Sequence, residues 1–267
     1  MKEVRNVGVI GAGVMGEALI TGLIASGIPA TSITISEKRV DRAQELIKSY
    51  GVNSAEISTT VASSDALLIV VKPQDMALTC QQIQPTLKAE TLVISFAAGK
   101  KIDFISSHLS GHTPVIRVMP NTPTLVGEGM AAISPGPGTS KQDLDFVRSF
   151  LSATGKVVEV PEDLQDAVTA TSGSGPAYFF LFVESMIQGG ISMGLSQEIA
   201  TELTIQTLVG SAKLLATSGK SATTLRENVT SPNGTTAAAI ASFNAENFAQ
   251  IVQSAMTAAR ARSQELA

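Results

Sequence analysis

Three glycines near the start of the chain, Gly11, Gly13 and Gly16, stand at GxGxxG spacing, which suits a bound pyrophosphate. Gly11 permits a tight turn, Gly13 lets backbone approach phosphate oxygens without a side chain in the way, and Gly16 lets the next helix pack closely on a sheet. The free N–H groups and positive end of that helix would then face the phosphates. About twenty residues further on, where the adenosine ribose should be met, stands Ser36-Glu37-Lys38-Arg39. Glu37 would accept hydrogen bonds from a ribose 2′-OH and favour NAD, whereas Ser36, Lys38 and Arg39 would hold a 2′-phosphate. Two cations and a hydroxyl against one carboxylate tilt the expectation to NADPH, with NADH left open.

A second group with chemical potential is Thr230-Ser231-Pro232-Asn233-Gly234-Thr235-Thr236. Pro232-Asn233-Gly234 makes a turn between two helices, and Thr235 or Thr236 is expected to cap the helix over Ala237 to Ser242. Four hydroxyls and several unpaired N–H groups at a positive helix end suit a small carboxylate, although a well-capped helix would account for the same residues. Thr171-Ser172-Gly173-Ser174-Gly175-Pro176 has a similar character ahead of a long apolar segment.

These groups need elements to position them. Val7 to Ile10 reads as a strand running into the glycines, with a helix following through Ala18, Leu19, Leu23 and Ile24. Ile33 to Ser36 reads as a strand and Val40 to Tyr50 as an amphipathic helix stopped by Gly51. Ala66 to Val71 is continuously apolar, as a strand buried on both faces must be, and ends in Lys72-Pro73-Gln74. Thr91 to Phe96 repeats the arrangement and ends in Ala97-Ala98-Gly99, small residues that would admit a flat ring. Pro114 to Val118, Met130 to Ile133 and Lys156 to Val160 are further strands, with a helix over Lys141 to Ala153. Strands alternating with helices predict an α/β, doubly wound, mostly parallel sheet over residues 1–161.

Past Pro161 the strand signals stop, and 162–267 reads as an all-helical second domain. Within it, Pro176 to Gly194 is apolar nearly all round, with Tyr178, Phe179, Phe180, Leu181, Phe182, Val183, Met186 and Ile187. Such a helix must be covered on every side, and homodimerisation is the simplest way to cover it.

At 267 residues, with 44% hydrophobic and 16% charged residues, the chain is long enough for about two globular domains. A formal charge of −4 with no basic stripe makes nucleic acid an unexpected partner. The longest apolar stretch, Ala177 to Val183, is too short to span a bilayer and closes at Glu184, and the N-terminus does not form a signal peptide. The single cysteine, Cys80, fits a reducing cytoplasm and reads as core filler. With only His108 and His112, both expected at the surface near a turn, no histidine metal site or triad is signalled.

These residues carry a recognisable family. The chain resembles pyrroline-5-carboxylate reductase over essentially its full length, through Gly11-Ala12-Gly13, Val71-Lys72-Pro73-Gln74, Arg117-Val118-Met119-Pro120-Asn121-Thr122-Pro123, Ser172-Gly173-Ser174-Gly175-Pro176-Ala177-Tyr178, and Thr230-Ser231-Pro232 with Gly234-Thr235-Thr236. The resemblance implies a Rossmann-like domain followed by an all-α dimerisation domain, forming homodimers and larger rings such as a decamer. It implies hydride transfer from NADPH or NADH to the C=N carbon of 1-pyrroline-5-carboxylate, the last step of proline biosynthesis. By the same resemblance Ile10, Gly11, Ala12, Gly13, Val14, Met15, Ser36, Val70, Val71, Lys72 and Pro73 carry the dinucleotide, with Ala98 and Asn121 near the nicotinamide. Ser231, Gly234 and Thr235 lie near the substrate carboxylate and Thr236 by the ring nitrogen, so that Ser231 and Thr236 are the catalytic candidates. Asn233 departs from the glycine usual in this turn but tolerates left-handed backbone.

Two other readings differ from this one. Another imine reductase or a β-hydroxyacid dehydrogenase would share the architecture, but the dehydrogenases use a lysine of the helical domain. Lys213 and Lys220 are the only lysines past Glu162, and neither adjoins a polar, glycine-rich motif. A non-catalytic NADP-binding sensor would leave the hydroxyl turn dispensable.

Overall fold

The computed structural model describes residues 6–109 and 113–266. His112 and the first five residues, which carry part of the expected N-terminal and surface features, lie outside the described residues. The chain up to Ser174 opens with β1 (Val7–Ile10), α1 (Val14–Ala25), β2 (Ile33–Ser36), α2 (Val40–Tyr50), β3 (Asn53–Ser54) and α3 (Ile57–Ser63). It continues through β4 (Ala66–Ile69), α4 (Met76–Ile83), β5 (Leu92–Ser95), α5 (Ile102–His108), β6 (Val115–Met119), β7 (Gly129–Pro135), α6 (Lys141–Ser152), β8 (Gly155–Glu159) and α7 (Gln165–Val168).

The strands form one eight-stranded sheet in the order β3-β2-β1-β4-β5-β6-β7-β8. All neighbours are parallel except β6 and β7, which run antiparallel from Ile116↔Pro135 to Met119↔Ala132. Successive side chains along the buried strands go to opposite faces. Val7, Val9, Ile33, Ile35, Leu68 and Ile94 join one core with Leu19, Leu23, Leu46 and Phe150 from α1, α2 and α6. Ile10, Leu67, Ile69 and Val93 join the other with Val61, Met76, Ile83 and Ile105 from α3, α4 and α5. Burial on both faces is why β4 reads as an unbroken apolar run, whereas β2 alternates and buries only Ile33 and Ile35.

Two details differ from the sequence reading, and a third was not read. β4 stops at Ile69 rather than Val71, because the chain already turns toward Pro73. β3 was not signalled: it is two exposed residues without an apolar alternation. α6 starts in a capping box, with the Ser140 hydroxyl accepting from the Asp143 N–H and the Asp143 carboxylate accepting from the Ser140 N–H.

The remaining helices are α8 (Gly175–Ser192), α9 (Gln197–Thr217), α10 (Ala222–Asn228), α11 (Thr235–Ala245) and α12 (Phe248–Glu265). By contacts the chain divides into two compact units, one up to Ser174 together with the segment from Ala259 onward, the other Gly175–Ala258. This contact division falls after Ser174 and is interrupted, the chain returning to the first unit at Ala259. Polar side chains tie the intervening residues to the sheet. Arg117, buried on β6, pairs with Glu162 at 3.3 Å and Asp166 at 3.7 Å, and the Glu162 carboxylate also accepts from the Ile102 N–H. Gln165 donates to the Ser134 hydroxyl at 2.8 Å, and the Ser263 hydroxyl donates to Asp166 at 2.7 Å, fastening the end of α12.

In the helical unit Phe182, Phe243 and Phe248 cluster with ring centroids 5.4–6.4 Å apart. Phe179, Phe180 and Leu181 on α8 remain 60–64% exposed, as do half or more of Ile199, Leu203 and Val209 on α9. So much apolar surface on adjacent elements marks a site of protein association. No helix among the described residues is long and apolar enough to cross a membrane.

Candidate active site

In an open parallel sheet, ligands bind beyond the carboxyl ends of the strands where the strand order reverses, here between β1 and β4. The expected dinucleotide residues gather along this edge. Ile10 to Met15 leave β1, Ser36, Lys38 and Arg39 leave β2, Val70 to Pro73 leave β4, Ala98 follows β5, and Asn121 follows β6. Backbone bonds lock adjacent loops together: the Gly11 N–H donates to the Ser36 carbonyl at 3.0 Å and the Val70 N–H to the Ile10 carbonyl at 2.8 Å.

Each glycine of the first loop has a distinct reason. Gly11 has φ +86°, and a Cβ there would lie 2.6 Å from the Val70 carbonyl oxygen. A Cβ on Gly16 would lie 2.5 Å from the Gly11 carbonyl oxygen, so the turn, rather than the sheet as expected, demands this glycine. Gly13 is exposed with φ −66°, and a Cβ on it would meet nothing within 4 Å. Space is therefore open where backbone must approach a phosphate. No side chain caps α1 at Gly13, so the loop and the helix start keep N–H groups for a ligand.

Glu37 is not free as a pure ribose ligand. Its carboxylate accepts from the Ala12 N–H at 2.8 Å and from the Arg39 N–H at 3.0 Å. Lys38 and Arg39 are exposed and Ser36 is half-buried beside them. Behind the loop lies a group that sequence reasoning missed. Arg42 of α2, 8% exposed, donates through Nε to the Ala12 carbonyl at 3.3 Å and pairs with Glu17 of α1 and, at 2.8 Å, with Glu45. The Tyr50 hydroxyl donates to Glu17 at 2.7 Å. The bonds from Arg42 and then Tyr50 hold the Glu17 carboxyl below its ordinary value, and the bond to Glu17 pushes the Tyr50 phenol up. The only advance signal was that Glu17, Arg42 and Tyr50 sit on helices flanking β1 and β2.

Asn121 has its amide committed: Nδ2 donates to the Ser172 carbonyl at 3.2 Å and Oδ1 accepts from the Met130 N–H at 2.8 Å. It braces the residues ahead of α8 rather than offering a free side chain. Gly99, with φ +77°, lies against the chain end, where a Cβ would stand 2.6 Å from the Ser263 carbonyl oxygen. Cys80 is fully buried, and burial raises its thiol to about 11. His108 is half-buried, its Nδ1 2.8 Å from the Phe104 carbonyl oxygen. Among the described residues no group of three or more His, Cys, Asp or Glu is arranged to hold a metal.

In the helical unit, the turn from Thr230 to Thr236 departs from the expected cap. The N-cap of α11 is Gly234 with no side-chain bond, and Thr235 and Thr236 are its first two helical residues. The Gly234 N–H closes the turn on the Ser231 carbonyl at 3.0 Å, and Asn233 takes φ +59°. Thr230 spends its hydroxyl on the Arg226 carbonyl at 2.6 Å. Among the described residues the hydroxyls of Ser231, Thr235 and Thr236 have no hydrogen-bond partner. Three unengaged hydroxyls beside an uncapped helix start can bind a carboxylate and a polar ring atom.

Comparison with known proteins adds a family to this geometry. Residues 162–266 match a family model described as pyrroline-5-carboxylate reductase dimerisation, and residues 6–99 match one described as NADP oxidoreductase coenzyme F420-dependent. The chain is 41% identical over 264 residues to pyrroline-5-carboxylate reductase of Pseudomonas aeruginosa, covering 98% of this chain and 97% of that one. Among solved structures, it is similar to a pyrroline-5-carboxylate reductase from Coxiella burnetii, with TM-score 0.90 and 31% identity over 99% of both chains. It is also similar to the Plasmodium falciparum pyrroline carboxylate reductase solved with NADP bound, with TM-score 0.89 and 29% identity over 100% of this chain and 99% of that one.

Proposed function

Because the chain belongs to the pyrroline-5-carboxylate reductase family, we propose a division of labour in which the glycine loop holds NADPH and the turn over Thr230 to Thr236 holds the imine. The protein is an NAD(P)H-dependent oxidoreductase that reduces the C=N bond of 1-pyrroline-5-carboxylate to give L-proline. When bound, the reduced nicotinamide supplies the hydride. The rest of the task falls to the chain. The open backbone at Gly13 and the uncapped start of α1 take the pyrophosphate, with Ile10 to Met15 and Val70 to Pro73 forming the surrounding wall. Ser36, Lys38 and Arg39 take the 2′-phosphate. The two cations outweigh the single Glu37 carboxylate, which the Ala12 and Arg39 N–H groups hold in place. Ala98 adjoins the nicotinamide, and Asn121 fixes the residues that do.

Ser231, Gly234 and Thr235 grip the substrate carboxylate at the start of α11. The Thr236 hydroxyl accepts a hydrogen bond from the protonated ring nitrogen and keeps that proton in place while the adjacent carbon gains hydride. A protonated imine is already electrophilic, so orientation carries the catalysis and a strong general acid is unnecessary. The observation that carries this reading is the set of three unengaged hydroxyls at an uncapped helix start. Two copies pairing through α8 and α9 would cover the exposed apolar faces, and such dimers would build a larger ring such as a decamer in the cytoplasm.

The test follows NADPH and NADH oxidation by absorbance, with and without 1-pyrroline-5-carboxylate. Substrate-dependent oxidation that yields proline, with the lower KM for NADPH, is the expected result. A lower KM for NADH would overturn the cofactor assignment, and cofactor binding without turnover would favour a sensor.

A further inference from the structure

The glycine loop is held from two sides, by Glu37 at the end of β2 and by Arg42 of α2, which no sequence motif includes. On one side the Glu37 carboxylate accepts from the Ala12 N–H at 2.8 Å. A trans peptide is planar, so the carbonyl of that same unit, on Gly11, points away from Glu37; it faces Gly16, where a Cβ would stand 2.5 Å from it. On the other side Arg42 Nε donates to the Ala12 carbonyl at 3.3 Å. The partner N–H of this second peptide belongs to Gly13 and therefore points away from Arg42, on the exposed side of the loop.

We propose that Arg42 is a positioning residue for cofactor binding: by drawing the Ala12 carbonyl inward it keeps the Gly13 N–H turned out toward the pyrophosphate. It does a second service in the same place. Glu17 lies in the first turn of α1, where a bare carboxylate would repel an incoming phosphate, and Arg42 neutralises it through a direct ion pair. Glu45 at 2.8 Å, and the Tyr50 hydroxyl bound to Glu17 at 2.7 Å, fix both partners so that the guanidinium has one orientation. A planar fork can serve Glu17, Glu45 and Ala12 at once; a lysine ammonium at the same position cannot.

The inference rests on the glycine loop being the pyrophosphate site, and the experiment separates the two. Arg42→Lys keeps a cation beside Glu17 but leaves the Ala12 carbonyl without its donor. NADPH fluorescence titration should show Kd raised about tenfold, the worth of one charge-assisted hydrogen bond, while kcat at saturating NADPH and KM for 1-pyrroline-5-carboxylate stay within about twofold. Adenosine 2′-monophosphate, which carries no pyrophosphate, should bind as before, an outcome that general loosening of α2 would not give. Tyr50→Phe should show the same pattern at about threefold, and it decides the matter on the same criteria if Arg42→Lys does not fold. An unchanged Kd for NADPH, or an equal loss for adenosine 2′-monophosphate, overturns the role of Arg42. Gly13→Val serves as the control: if it abolishes NADPH binding while Arg42→Lys is silent, only Arg42 is misassigned, whereas normal binding by Gly13→Val removes the loop assignment itself.

Discussion

Valine at Gly13 should leave the fold intact and remove the cofactor, a separation few substitutions achieve. A Cβ there meets no atom within 4 Å, and φ −66° suits any L residue. The stability cost should stay within about 0.5 kcal/mol, as for an ordinary surface change, and Tm should move by no more than about 2 °C. Bound pyrophosphate oxygens, however, would lose the N–H donors at the loop and the start of α1. Each such charge-assisted bond is worth about 1.5–3 kcal/mol, so losing two raises Kd for NADPH on the order of 10²–10⁴-fold. The chain contains no tryptophan, so NADPH fluorescence can be titrated without that background. Gly11→Ala is the informative contrast, because its Cβ would stand 2.6 Å from the Val70 carbonyl oxygen at φ +86°. Strain of this kind costs about 1–3 kcal/mol, which should lower Tm by several degrees at about 2–4 °C per kcal/mol. A Gly13→Val protein that melts normally and binds NADPH with parental affinity would refute the reasoning.

Thr236→Ala should lower kcat/KM for the imine about ten- to a hundredfold, the loss of one hydrogen bond to a charged nitrogen, with Kd for NADPH unchanged; equal turnover would remove Thr236 from the mechanism. Arg117→Met strands Glu162 and Asp166 beside a buried position and should cost about 3–5 kcal/mol in urea unfolding, whereas a loss under 1 kcal/mol would show the cluster to be solvated. Cys80 should resist iodoacetamide at pH 8 until urea unfolds the chain. Burial raises the thiol from 9.0 to about 11, so its contribution to stability is whole below pH 9 and declines as pH rises toward 11, which unfolding curves across that range would register.

Local rules made much of the architecture legible. β1 and β2 agree with the sequence reading residue for residue, and α2 ends where expected, because Gly51 adopts the left-handed φ of +72° that a helix terminus favours. The turn Pro232-Asn233-Gly234 was readable for a similar reason, as Asn233 holds the positive φ that asparagine tolerates. What escaped depends on residues far apart in the chain. Glu37 reaches Ala12 across 25 positions and Arg42 reaches it across 30, and a side chain bonding to a distant backbone group leaves no periodicity. Glu162 and Asp166 meet Arg117 only through folding, so no local pattern marks that cluster either. The threonines of α11 were misjudged as caps because the Gly234 backbone takes the N-cap position itself and leaves their hydroxyls for other use.

The interrupted α/β unit has a consequence for the order of events in the cell. Its final piece, from Ala259, includes Ser263 against Asp166 and the backbone that covers Gly99. A ribosome delivers the sheet first, yet the loop after β5 stays uncovered until the whole helical unit has been synthesised. A nascent chain stalled before Ala259 should therefore hold an assembled sheet with a loose rim. A fragment cut at the helical boundary inherits the same defect, so a circular permutant that carries residues 259–266 ahead of β1 would make the better isolated nucleotide-binding module.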